Sequence, residues 1–339
     1  MRTPTRQPVS STNRSAAAKH AAVLALVLSA LGTPIAAYAQ PTPDSSGFIT
    51  SADGARLFYA IYGDQPDTVI VPGGMLLAND LSIMRENVTL VFYDPRGRGR
   101  SDWIADANRL TMGDELRDIE AIRAGLRISR AALIGFSYLG LVTALYAADN
   151  PTRVTRVALL GPMPPDEQTS SRYAPREGKL RADSAAANFA RAHAAATDTA
   201  DPAAECRRWY AAYLPVYLGD PSRAADVDTG FCVHKNEAPA NFQWRVAQTM
   251  RSLPRRWDYS RKAAAIQAPT LIIEGDRDFA SSPDGARRWA ELIPNARLIM
   301  LAGAGHLTYV ERQDRVIPAL TRFLRGDWPP EAMQLRTSR

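Results

Sequence analysis

Across 339 residues the chain is 46% apolar and 22% charged, enough to bury a sizeable core and too little charge for a disordered polyelectrolyte. Single cores stop growing at about 250–300 residues, so this length admits one large domain with an insertion or two ordinary ones. Of the formal charge of +6, Arg2, Arg6, Arg14 and Lys19 supply four with no acid before residue 40; removing them leaves +2, which takes away net basicity as an argument for a nucleic-acid partner.

Those four cations precede the apolar run AAVLALVLSALGTPIAA and the triplet Ala37-Tyr38-Ala39. A basic region, an apolar region and an A-x-A site in that order predict a signal peptide over 1–39, an uncleaved N-terminal anchor being the alternative. Gly32 and Pro34 interrupt the run, which falls short of the roughly 20 residues a spanning helix needs. The mature protein is therefore expected to be exported, periplasmic or extracellular, without stable membrane association. In an oxidising compartment the only two cysteines, Cys206 and Cys232, are expected to form one disulfide closing a surface loop, against the alternative of two separate buried thiols.

From residue 40 the pattern is that of an α/β protein. FIT, RLFYAIYG and TVIVPGG (48–74) and TLVFYDPRG (89–97) read as strands, and TMGDELRDIEAIRAGL (111–126) as a helix whose inner face carries Leu116, Ile119, Ile122 and Leu126. RAALIGFS (130–137), a helix to about Ala148, and RVALLGP (156–162) give strand, helix, strand, the alternation of crossovers on a parallel sheet. From Asp166 to Ala268 the stretch is rich in Ala, Arg and Asp, helical in spacing and free of strand-like runs. Strands resume with PTLIIEGD (269–276) and ARLIML (296–301), separated by the helix PDGARRWAEL. The loop GAGHLTY, a last helix bearing Val316, Leu320 and Phe323, and an irregular tail follow. The implied organisation is core 40–165, helical insertion 166–268, core 269–325 and tail 326–339.

Within that frame GFSYLG (135–140) puts Ser137 where a strand turns into a helix. With VPGG, YDPRGRGRSD, EGDRD and GAGH, it makes residues 48–325 resemble the α/β-hydrolases, and more narrowly the proline-iminopeptidase-like branch with a helical cap. The resemblance implies a mostly parallel eight-stranded sheet with flanking helices. It also implies a serine nucleophile on a sharp elbow, with an acid and then a histidine further along the chain.

A serine hydroxyl needs a base within hydrogen-bond reach and a carboxylate to orient that base. Of four histidines, His20 lies in the signal and His193 and His234 in the insertion, so His306, on a Gly-rich loop after a strand, is the expected base. The family spacing selects Asp278 in EGDRDF as its orienting acid, with Asp276 the competitor. The resemblance places the oxyanion donors at the backbone N–H groups of Tyr138 and Gly74. Two departures stand out. Pro72 occupies the place of the family's usual His in the oxyanion loop, and the elbow reads G-x-S-x-x-G, with Leu139 where a glycine is usual.

Serine at the nucleophile position favours acyl transfer to water. The expected partner is a small ester or a short peptide, with no cofactor and no metal. An aminopeptidase would need carboxylates facing the pocket, and Glu167, Glu205 and Glu237 are candidates. The missing HGGPG-like loop and GGSWGS-like elbow favour carboxylester hydrolysis. YDPRGRGRSD is assigned a shaping role through Arg96, and RSLPRRWDYSRK (251–262), the one basic and aromatic cluster, reads as a solvated face rather than a nucleic-acid site.

Overall fold

The computed structural model describes residues 41–172 and 176–335. The expected signal peptide over 1–39 and the last four residues of the tail lie outside them. Eight strands form one sheet: β1 (Ser45–Thr50), β2 (Arg56–Tyr62), β3 (Thr68–Pro72), β4 (Thr89–Tyr93), β5 (Ala131–Phe136), β6 (Val154–Leu160), β7 (Thr270–Gly275) and β8 (Ala296–Leu301). Their order is β1-β2-β4-β3-β5-β6-β7-β8. β1 pairs antiparallel with β2 and β2 antiparallel with β4; every later pairing is parallel.

Hydrophobic runs become strands here because helices cover both faces of the sheet. β5 (AALIGF) and β7 (TLIIEG) are buried at every position, as parallel central strands require. Side chains alternate between faces with a period of two. Val69, Val71, Leu271 and Ile273 pack with α1 (Gly74–Leu81) and α11 (Gln313–Leu324). Ile70 and Ile272 pack on the other side with α2 (Met112–Gly125), α3 (Ser137–Asp149) and α9 (Pro283–Leu292). α2 starts with a capping box in which Thr111 Oγ1 accepts from the Asp114 N–H and Asp114 Oδ2 from the Thr111 N–H. Its predicted inner residues Ile119 and Ile122 are fully buried.

Between β6 and β7 the chain is helical: α4 (Glu167–Arg172), α5 (Arg176–Ala195), α6 (Pro202–Tyr217), α7 (Pro239–Arg251) and α8 (Ser260–Ala264), with short 3₁₀ turns at Pro221–Asp226, Gly230–Val233 and Lys235–Glu237. After β8, α10 (Thr308–Glu311) leads into α11. Two expectations need correction. Cys206 and Cys232 are joined, with Cα atoms 5.4 Å apart, but both are buried, so the bond ties α6 to the turn Gly230–Val233 inside the insertion rather than closing a surface loop. The tail is not wholly irregular either: Met333 exchanges two backbone hydrogen bonds of 2.8 and 2.9 Å with Leu298 of β8, so the sheet's exposed edge recruits it.

Arg96 is buried, and its guanidinium binds Asp118 at 2.5 and 2.6 Å and Asp53 at 2.9 Å. A buried guanidinium needs this many partners. Two residues on, Arg98 makes a bidentate pair with Glu237 at 2.7–3.1 Å, and Glu237 also accepts the Gly99 N–H at 2.7 Å. YDPRGRGRSD therefore shapes its loop as expected and also clasps the helical insertion.

Candidate active site

Ser137, Asp278 and His306 follow β5, β7 and β8 at the carboxyl edge of the sheet, where ligands bind in open α/β folds. Ser137 has φ 56°, one of three non-glycine residues with positive φ among the described residues. A side chain in that conformation is strained, so the surroundings must over-determine it. They do so by close packing. A β-carbon on Gly135 would lie 2.5 Å from Thr143 Oγ1 and 2.7 Å from the Leu139 carbonyl, and one on Gly140 would lie 3.1 Å from Pro162 Cβ. The small residue that lets helix meet strand is thus needed at 140. Leu139 instead points toward the β3–α1 loop, where its Cδ1 would be 3.1 Å from a β-carbon on Gly73. This accounts for G-x-S-x-x-G.

His306 Nδ1 lies 2.6 Å from Asp278 Oδ2, and both side chains are buried. The other Asp278 oxygen accepts the Ala280 and Ser281 N–H groups, each at 2.7 Å. Asp276, the competitor, is used elsewhere: its Oδ1 accepts the Gly303 N–H at 2.7 Å. The histidine is fixed from several sides. Its backbone N–H donates to the Tyr217 carbonyl at 2.7 Å, the Phe136 ring stands 4.7 Å from the imidazole, and at Gly161 (φ +50°) a β-carbon would lie 3.0 Å from Nδ1.

Glu311 was not anticipated. One of its oxygens accepts the N–H of Gly305 at 2.6 Å and of Gly219 at 3.2 Å, and the other that of Asp220 at 2.9 Å. It therefore ties the His306 loop to the end of α6. Gly219, Gly275 and Gly305 pack backbone against backbone there with no room for a side chain.

Ser137, Tyr138 and His306 line one cavity of about 310 Å3. Its walls are mostly apolar and aromatic: Trp209, Tyr210, Tyr217, Phe231, Phe242 and Tyr309. The first three come from the helical run ECRRWYAAYLPVYL, whose spacing was legible although its direction was not. Gly74 opens α1 and is buried; Leu76, two residues on, reaches the wall. Met75, between them, gives its N–H to Asp94 at 2.8 Å, which anchors this turn to the β4 end.

None of the three candidate acids lines the cavity. Glu237 is consumed by Arg98, and Glu205 by Arg208 at 2.7 Å and His193 at 2.9 Å. Glu167 is not among the described residues that line it. Asp80 and Asp228 do line it. Burial, and secondarily the charge of Asp228, push the Asp80 carboxyl up to about 6.

Residues 83–313 match the family model of the alpha/beta hydrolase fold. Among curated relatives, 277 residues are 28% identical to a polyketide synthase, ThaQ, of Burkholderia thailandensis; they are 80% of this chain but only 12% of that protein. Over 283 residues the chain is 23% identical to the proline iminopeptidase PfmaB of Pestalotiopsis fici, covering 80% of this chain and 97% of the relative. Among solved structures, the enol-lactonase from Burkholderia xenovorans LB400 superimposes with a TM-score of 0.60 at 22% identity, over 82% of this chain and 99% of its own.

Proposed function

The chain belongs to the alpha/beta hydrolase fold family, and from that premise we propose that it is an exported serine hydrolase of small carboxylic esters, with Ser137 as nucleophile, His306 as base and Asp278 as its orienter. The observation that carries the proposal is the 2.6 Å contact of Asp278 Oδ2 with His306 Nδ1, at the edge of a cavity lined by both His306 and Ser137. Ser137 Oγ attacks the ester carbonyl while its proton passes to His306 Nε2, and the backbone N–H groups of Tyr138 and Gly74 receive the charge on the carbonyl oxygen. The carbonyl re-forms, the C–O bond to the alcohol breaks, and His306 returns the proton to the departing oxygen. Water, deprotonated by His306, then attacks the acyl-enzyme, which releases the carboxylic acid and restores the Ser137 hydroxyl.

The apolar, aromatic cavity walls support an ester with a small hydrophobic acyl or alkyl group, since they offer area rather than charge. A second reading, an aminopeptidase, is supported by one observation: Asp80 and Asp228 line that cavity and could hold a free ammonium. The relatives bear names of both chemistries, a proline iminopeptidase and an enol-lactonase. A paired assay with a short-chain p-nitrophenyl ester and a prolyl or alanyl arylamide, blanked with Ser137→Ala, separates the two. Ester turnover with a silent arylamide is expected, and turnover of the arylamide alone would replace this reading with the exopeptidase. Export is tested by recovering the protein from the periplasm and sequencing its first residue, expected to be Gln40.

A further inference from the structure

Glu274 is the last residue but one of β7 and is fully buried. Its Oε1 accepts the N–H of Gly275 at 3.0 Å. Its Oε2 is buried and accepts nothing. The carboxyl lies within hydrogen-bonding reach of Asp278, so two buried carboxyl groups share one site. Like charges that close in a low-dielectric interior cannot both ionise, and one must keep a proton. The surroundings choose which. Asp278 receives two backbone N–H groups and the His306 ring, all of which favour its anion, whereas Glu274 receives a single N–H. Burial first, and then the charge of Asp278, push Glu274 well above the ordinary carboxyl range.

We infer that Glu274 is a positioning residue: held as the neutral acid, it donates its Oε2–H to the Asp278 carboxylate and fixes the orientation and charge distribution of the group that orients His306. The inference rests on the proposed Ser137–His306–Asp278 reading for its catalytic consequence only. A carboxylate that receives a further donor spreads its charge and pulls less strongly on the imidazolium. Without that donor, Asp278 binds protonated His306 more tightly and is held by one contact fewer.

Three variants and one spectroscopic measurement test this in the full chain. Glu274→Leu is expected to lower kcat/KM about tenfold and move the acid limb of its pH profile up by about half a unit. Glu274→Gln supplies an N–H donor and is expected to recover most of both losses, which a merely space-filling role would not require. The infrared difference spectrum between wild type and Glu274→Gln at pH 7 is expected to contain a protonated-carboxyl C=O band. Lack of that band overturns the inference even if Glu274→Leu does not fold, and so does a folded Glu274→Leu with an unmoved acid limb. Retention of hydrolysis by Ser137→Ala would sink the triad reading while leaving the infrared result to decide the protonation of Glu274.

Discussion

Gly161 lies so close to His306 that a β-carbon on it would stand 3.0 Å from Nδ1, 3.2 Å from Cε1 and 3.4 Å from Asp278 Oδ2. Its φ of +50° independently disfavours any side chain there. Gly161→Ala is therefore expected to push the imidazole off its orienter, lowering kcat about 10- to 100-fold with a smaller change in KM. Stability is expected to fall by about 1–2 kcal/mol. Steady-state kinetics alongside urea denaturation checks both; an unchanged kcat would show that His306 is not the base.

The elbow stores strain at Ser137, and strain of this type costs about 1–3 kcal/mol. Glycine relieves it and alanine does not, because alanine keeps the β-carbon at φ 56°. Both Ser137→Gly and Ser137→Ala are expected to lose at least about 10³ in kcat. Ser137→Gly is expected to be the more stable of the two by about 0.5–1 kcal/mol, read from denaturant midpoints.

Asp276 and Asp278 stand two residues apart and make different hydrogen bonds, one to the Gly303 N–H and one to His306. Asp278→Asn keeps the shape but offers His306 Nδ1 the wrong partner, and a loss of about 10⁴ in kcat is expected. For Asp276→Asn a change within about threefold is expected. The reverse order in a kinetic comparison would hand the orienting role to Asp276.

Much of this was legible because each signal had a local cause. β5 and β7 read as strands since a doubly covered strand has to be apolar throughout, and His306 stood out because only one histidine falls in the sheet scaffold. What sequence could not reach were contacts between distant segments. The Arg98–Glu237 clasp spans 139 positions and the Glu311 clamp on Gly219 spans 92, and neither charge differs in pattern from a solvated one. The same blindness made Glu205 and Glu237 look available for an ammonium. Glu274 was hidden differently: it lies inside the run read as the strand 269–276, and nothing in that pattern shows a buried carboxyl close to Asp278.

The disulfide links cysteines 26 apart in sequence and joins α6, which supplies Trp209, Tyr210 and Tyr217 to the cavity, to the turn that supplies Phe231. A loop of that length confers about 3 kcal/mol by restricting the unfolded chain. Cys206→Ser with Cys232→Ser is expected to lower stability by that order. KM for an ester is expected to rise more than kcat falls, because the bond holds cavity walls rather than Ser137, Asp278 or His306. A kcat collapse at constant KM would contradict this division.

Asp80 gives the cavity a charge that depends on pH. Its carboxyl is raised to about 6 by burial and by Asp228, so it is ionised above that value and neutral below it. Since the folded-state value lies above the unfolded one, the favourable contribution is complete below about pH 4 and is lost as pH rises through 6. Asp80→Asn removes this loss. Its gain in Tm over wild type is therefore expected to be larger at pH 7 than at pH 4. The same titration separates substrates. For a neutral ester, KM should hardly change between pH 5 and 7 and Asp80→Asn should be tolerated, because an apolar wall does not need the charge. For a substrate with a free ammonium, KM should fall as Asp80 ionises, and the variant should abolish that fall. Measured KM profiles for the two substrate types thus show directly whether the cavity uses this carboxylate.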